Sequence, residues 1–191
     1  MSANTIAINQ AMTHFNDHES LWLFGYGSIL YKVDFPYLEK KPARIFHWVR
    51  RFWQGSHDHR GTPEQPGRVV TLIKQTDAVC EGIAYRITPE EFAHLDHREK
   101  NGYLREKVEI VFDDDDRHMG ITYVAPPGNE AYLGPATEQA IAKQIACSFG
   151  PSGPNSDYVF QLADALRQLK EQDQHVFSIE QHLRSFCSRS K

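Results

Sequence analysis

Side chains whose type and spacing could do chemistry are few in this sequence, and most of them fail the pattern they first suggest. Gly25 and Gly27 follow an apolar run as the glycines of a dinucleotide-binding turn would, but Leu30 stands at the third glycine position and no helical pattern follows at once. No GxxxxGK(S/T) phosphate loop occurs, and His18-Glu19 leads into Ser20, Leu21 and Trp22 rather than the second histidine of a zinc helix. Ser28 follows a strand pattern, yet its flanks, Gly25-Tyr26-Gly27-Ser28-Ile29, are not a GxSxG elbow, so it reads as a hydrogen-bonding loop residue. His57, Asp58 and His59 are metal-ligand types without partners at ligand spacing, and they read as a surface loop beside Arg60. The four acids Asp113 to Asp116 would place Arg117 and Met119 at calcium-ligand positions before Gly120, so they read as a hairpin turn.

Two further features, one glutamate among many acids and one strand-ending turn, are not singled out by their own letters. Glu99 lies in Arg98-Glu99-Lys100-Asn101-Gly102-Tyr103, near the end of a helical pattern. A carboxylate serves as general acid and base near neutral pH only where burial raises its pKa, whereas an ordinary helix-end glutamate is exposed. The turn Tyr26-Gly27-Ser28-Ile29 follows an apolar run. Backbone N–H groups of such a turn can bind a carboxylate without a charged side chain, and glycine permits close approach; an ordinary strand-ending turn is the alternative.

The elements that must position these groups begin with strands. Leu21 to Tyr26, Ile45 to Gln54, Arg68 to Lys74 and Ala78 to Ile87 are rich in β-branched and aromatic residues and bounded by Gly, Pro or Asp. Val108, Ile110 and Phe112 alternate with polar neighbours, and Ile121 to Ala125 continues after the acidic turn. Thr88-Pro89-Glu90-Glu91 has the letters of a capping box and predicts a helix running toward Glu99. Further helices are expected over about 137–149, along Val159, Leu162, Leu166 and Leu169, and from a cap at Ser178 to Gln181. Six mainly sequential strands followed by helices predict an α+β fold built on a mainly antiparallel sheet or small barrel.

The 191 residues suffice for one substantial core. A net charge of -4 gives no general attraction to nucleic acid or anionic membrane. No run approaches the roughly 18 apolar residues of a membrane span, and the N-terminus lacks a signal-peptide pattern, so a cytoplasmic protein is expected. Cys80, Cys147 and Cys187 form no CxxC pair and fit a reduced compartment, Cys147 and Cys187 packing as small hydrophobes in helical patterns.

Four segments in order carry a family resemblance: Phe24 to Leu30 (FGYGSIL), Arg50 to Leu72 (RRFWQGSHDHRGTPEQPGRVVTL), Arg98 to Tyr103 (REKNGY) and Gly150 to Tyr158 (GPSGPNSDY). Together they resemble the ChaC family of glutathione-specific γ-glutamylcyclotransferases over about 21–169. Residues 1–20 then stand as an N-terminal extension, and 170–191 as a C-terminal helical extension packing on the same domain. The resemblance implies a γ-glutamyl cyclotransferase-type β-barrel with surrounding helices, and conversion of glutathione to 5-oxoproline and Cys-Gly without metal or cofactor. It implies that Tyr26, Gly27, Ser28 and Ile29 hold the γ-glutamyl group and that Glu99 is the acid/base. Arg60 is a further candidate for the glutathione-contacting wall, a solvated loop arginine being the alternative. Tyr158 stands one residue off its helix's core stripe, which leaves its hydroxyl either pocket or core.

The chain departs from the family pattern at Ile29-Leu30-Tyr31, where Leu-Ile-Trp is usual, and at Asn101, where REKGGY is common; Asn101 keeps access to a left-handed turn conformation. The expected partner is a small molecule, for a monomer with no nucleic-acid or membrane partner. Rival readings are a cyclotransferase for other γ-glutamyl amino acids or amines, a regulatory partner of a cation transporter, and a single-strand-binding face. The last would use Arg44, Arg50, Arg51, Arg60 and Arg68 interleaved with Phe46, Trp48, Phe52 and Trp53.

Overall fold

Leu21-Trp22-Leu23-Phe24-Gly25 is buried at every position, the pattern of a strand covered on both faces, and it forms β1 (Leu21–Gly25). The computed structural model describes residues 4–188, with side chains to residue 186, so the packing expected of Cys187 lies outside the described residues. Next come β2 (Glu39–Ser56), β3 (Gly67–Ile87), β4 (Leu104–Phe112) and β5 (Arg117–Val124). They close into a barrel in the order β1-β3-β2-β4-β5. β1 runs antiparallel to β3, from Leu21 opposite Ile87 to Gly25 opposite Ile83, and closes the barrel in parallel on β5 at Leu23 and Ile121. The expected α+β class with a small barrel and surrounding helices is what the chain forms, with five barrel strands rather than six. The difference lies at Gln75 to Asp77, where β3 runs straight on through an exposed polar stretch and Asp77 takes φ 61.

The chain divides into two compact units, Met1–Val49 with Leu72–Glu130 and Arg50–Thr71 with Ala131–Lys191. The first has its core inside the barrel and under a short helix, built from Leu23, Ile29, Tyr85, Ile87, Leu95 and Tyr103 among others. The helix is α2 (Phe92–Arg98), preceded by a 3₁₀ turn at Pro89–Glu91; α1 (Ile6–Gln10) precedes β1. No capping box forms at Thr88, whose hydroxyl lies 3.5 Å from the Glu90 carboxylate and caps no backbone N–H. The acidic hairpin turn forms as expected, Phe112 N–H donating to Asp116 O at 2.9 Å.

The second unit holds α3 (Glu138–Ala146), α4 (Asn155–Gln168) and α5 (Gln174–Ser188), which pack against one another, and a short pair of β6 (Phe149–Gly150) with β7 (Gly153–Pro154). Thr137 caps α3 by accepting from Ala140 N–H at 3.2 Å. The last helix starts earlier than expected, at Asp173, whose carboxylate accepts from Val176 N–H at 3.0 Å. Cys147 is exposed rather than packed, because the buried stripe of α3 is Ile141, Ala142 and Ile145, while Cys80 is buried. Among the described residues no helix is long and apolar enough to cross a membrane.

Candidate active site

The turn after β1 is built from a backbone that cannot stay extended. Ile29 folds back over Gly25 so closely that a Cβ there would sit 2.9 Å from Ile29 Cγ2. Ser28–Leu30 then makes one turn of 3₁₀ helix with Gly27 at its N-terminal flank. The first N–H groups of such a turn have no carbonyl within it to accept from them, and they are the groups an anion would meet. Ile29 is a core residue at 7% exposure, so the turn offers its backbone rather than this side chain. Two phenols hold the turn from below: Tyr26 donates to Tyr123 O at 2.7 Å, and Tyr85 donates to Ile29 O at 2.9 Å. Burial pushes the Tyr85 hydroxyl up to about 12, so it remains a donor across the physiological range.

Glu99 caps the C-terminal end of α2, its N–H donating to Leu95 O at 2.9 Å. Its side chain keeps 16% of its exposure, and burial raises its pKa above the usual carboxylate value. The Arg98 guanidinium, 3.2 Å from Glu99 Oε1, opposes that rise, and the Asp34 charge reinforces it. The carbonyl-rich end of a helix is likewise a poor place for a negative charge.

One guanidinium joins these pieces. Arg98 Nη2 donates to Ser28 Oγ at 2.9 Å and to Lys32 O at 3.1 Å, Nη1 pairs with Asp34, and Nε faces Glu99. The turn and the acid are thereby brought within reach of one side chain. At Asp34 desolvation works upward but is outweighed by the charge and hydrogen bonds of Arg98 and by His94, which hold its carboxyl below the ordinary range. Arg98 stood in the quoted motif without a role, and Asp34 had no local signal; only the fold shows that they meet. The left-handed residue after Glu99 is Gly102, at φ 89, and not Asn101.

Arg60 and Tyr158 belong to the second unit, where the other two motif segments grip each other. Arg60 Nη1 donates to Ser152 O at 2.8 Å and Pro154 O at 3.0 Å, and Ser152 N–H donates to His59 O at 2.9 Å. A Cβ on Gly150 would lie 2.3 Å from His59 O, so the two loops touch backbone to backbone. Asn155, fully buried, accepts from Arg68 N–H at 2.7 Å and donates to Arg68 O at 2.9 Å. Tyr158 is 6% exposed, edge-on to Phe52 at 5.9 Å, with Val70 N–H 3.4 Å from its hydroxyl.

Three of the nine residues in the arginine and aromatic array that could have stacked on bases are interior. Phe52 has no exposure, Arg50 is ion-paired with Asp173 at 2.6 Å, and Arg68 donates to Gln144, Phe52 O and Gly134 O. Among the described residues no group of three or more His, Cys, Asp or Glu side chains is placed to hold a metal ion, the His57 to His59 loop included.

Comparison with known proteins places these features in context. The ChaC-like protein family matches residues 21–186. Gamma-glutamylcyclotransferase 2-3 of Arabidopsis thaliana is 43% identical over 184 residues, covering 90% of this chain and 92% of its own. Glutathione-specific gamma-glutamylcyclotransferase 1 of Danio rerio is 42% identical over 171 residues, covering 84% and 87%. The crystal structure of a yeast γ-glutamyl cyclotransferase specific to glutathione superposes with a TM-score of 0.80 at 32% identity, over 88% of this chain and 97% of that one. A match that runs from β1 into α5, and so takes in both the turn and Glu99, settles the assignment: this chain belongs to the ChaC-like family.

Proposed function

We propose that this chain is a glutathione-specific γ-glutamylcyclotransferase of the cytoplasm, acting as a monomer, with Glu99 as its general acid and base. In the reaction the α-amine of glutathione attacks its own γ-carbonyl carbon. A new C–N bond closes the five-membered ring of 5-oxoproline, the amide bond to cysteine breaks, and Cys-Gly leaves with the nitrogen. Because amine and carbonyl belong to one molecule, holding them at near-attack distance lowers the barrier by about 7 kcal/mol or more in favourable cases.

Proton transfer remains. The α-ammonium must lose one proton before attack and a second as the ring closes, and the departing nitrogen must gain both to leave as an ammonium. A single carboxylate serves both steps and ends as it began. An ordinary glutamate taking a proton from an α-ammonium near pKa 8 works against about 3.5 pK units, or ~5 kcal/mol. Burial narrows that gap from both sides, raising the carboxylate and lowering the ammonium. The observation that carries the reading is Glu99 itself, a largely buried carboxyl with a raised pKa that shares the Arg98 guanidinium with the Ser28 turn. In this reading Tyr26, Gly27, Ser28 and Ile29 seat the γ-glutamyl group, the turn's amides facing its α-carboxylate.

The test is incubation of wild type and Glu99→Gln with glutathione, oxidised glutathione and γ-Glu-Ala, with 5-oxoproline measured. Activity on reduced glutathione and a loss of at least about a hundredfold in the variant are expected. A variant that turns over at the wild-type rate refutes the role of Glu99, and turnover of γ-Glu-Ala alone refutes the substrate.

A further inference from the structure

The chain that leaves Glu99 is tied down by residues that precede β1. Asn9, whose side chain has no exposure, accepts at Oδ1 from Arg105 N–H at 3.0 Å and donates from Nδ2 to Tyr103 O at 3.0 Å. A side-chain amide that bridges the carbonyl of one residue and the N–H two residues on does for the start of β4 what a neighbouring strand would do. Thr5, 8% exposed, donates its N–H to Lys100 O at 2.9 Å, and its hydroxyl lies 2.7 Å from Tyr103 O and 3.1 Å from Lys100 O. Asn4 adds a bridge to Asn101. Residues 4–9 therefore grip positions 100, 101, 103 and 105, and the tight turn between them closes on itself through Gly102 N–H and Lys100 O at 3.0 Å.

The short helix α1 touches α2 and β4, yet the residue it buries is Asn9, while its Ile8 is 52% exposed. Burying an asparagine and a threonine instead is unfavourable unless each hydrogen bond is kept, so the polar solution fixes the register of the segment to within hydrogen-bond tolerance. A carboxylate that shuttles protons needs such a fix, because its reach is only about 2.6–3.2 Å to each proton partner.

We propose that Thr5 and Asn9 are positioning residues for Glu99: by bolting 100–105 in place they set where its carboxylate sits. The proposal rests on the reading of Glu99 as acid and base. It assigns a role to a segment that lies before residue 21, where the ChaC-like match begins.

The experiment measures kcat, KM for glutathione and thermal melting for Asn9→Ala, Thr5→Val and Thr5→Ser, each in the wild-type and Glu99→Gln backgrounds. In the wild-type background Asn9→Ala and Thr5→Val should lower kcat about tenfold, as a small misplacement of a reacting group does, with KM little changed. Thr5→Ser, which keeps the hydroxyl, should stay near wild type. In the Glu99→Gln background the same substitutions should cost nothing further, since the group they position is gone. Unchanged kcat in folded Asn9→Ala and Thr5→Val, or equal fractional losses in both backgrounds, would overturn the positioning role. Should Asn9→Ala fail to fold, Thr5→Val carries the test, for it removes only the hydroxyl contacts. Full activity in Glu99→Gln alone would instead overturn the reading of Glu99, so the two failures are told apart.

Discussion

Replacing Arg98 by methionine would show how the site sets its own charge. The side chain is 12% exposed and reaches Asp34, Ser28 Oγ, Lys32 O and Glu99. Its hydrogen bonds to Ser28 and Lys32 are each worth on the order of 1 kcal/mol. The pair with Asp34, whose side chain is 41% exposed, adds no more than about 1 kcal/mol after solvent screening. Arg98→Met should thus lose about 3 kcal/mol of stability, a melting temperature lower by roughly 6–12 °C. The charge effect has a definite sign. Burial and Asp34 raise the Glu99 pKa and Arg98 lowers it, so removing Arg98 leaves only upward pressures. The base form of Glu99 then requires higher pH, and the acid limb of kcat/KM for glutathione should move upward. That limb reports the free enzyme, and the substrate is the same for both proteins, so the displacement belongs to the enzyme. Arg98→Lys keeps the charge but not the fork, and should show a limb near wild type with a lower kcat. An acid limb in Arg98→Met that stays in place or moves down would refute this account of the site.

Three further outcomes test the packing within each unit. His175 accepts from Phe52 N–H through Nε2 at 3.1 Å, so the ring must be neutral, and burial lowers its pKa below 6.5 against the pull of Glu138. The unfolded chain binds that proton first, so this stability is present above pH 6.5 and is lost as pH falls through the folded-state pKa. Urea midpoints above and below that pH should fall less for His175→Phe than for wild type, and an equal fall would refute the assignment. Asp96, unexposed, holds Arg105 at 2.9 and 2.5 Å and accepts from the Tyr123 hydroxyl at 2.7 Å; Asp96→Ala should cost about 3–5 kcal/mol in denaturant unfolding, and less than about 1 would contradict its pairing. Gly82→Ala would place a Cβ 2.3 Å from Gly25 O where β1 and β3 pair beneath the turn, costing about 1–3 kcal/mol in a thermal melt.

The strands were legible where burial writes a simple pattern. Leu21–Gly25 is apolar throughout because it is covered on both faces, and Val108 and Ile110 flank the exposed Glu109, although the alternation stops at Val111, which is buried as well. Local letters misled where a longer-range contact decides. Gln75-Thr76-Asp77 has turn composition, yet β3 continues through it with Asp77 at φ 61. Thr88 to Glu91 spells a capping box, but in the 3₁₀ turn that forms the Glu91 N–H donates to the Thr88 backbone carbonyl at 3.1 Å and the Thr88 hydroxyl caps nothing. Asp173 was hidden among polar residues, although its side chain begins α5.

Chemistry is harder to see than fold because a carboxyl acquires its function from neighbours distant in sequence. Nothing within five residues of Glu99 announces burial; the motif around it marks the position, and Asp34, Ser28 and Asn9 supply the environment directly or through Arg98 and the 100–105 segment. The arginine beside the proposed base looks contrary at first, since it lowers a pKa that burial raises. For a group that must take a proton and return it, the opposition is useful. Burial together with Asp34 alone would push the carboxyl further toward its protonated form, which cannot accept, whereas an unburied glutamate would be the weaker base. A guanidinium held by Ser28, Lys32 and Asp34 restrains the rise without leaving its place, and because the same guanidinium holds the turn, a change that loosens the Ser28 turn, the proposed seat of the glutamyl group, must also disturb the basicity of Glu99.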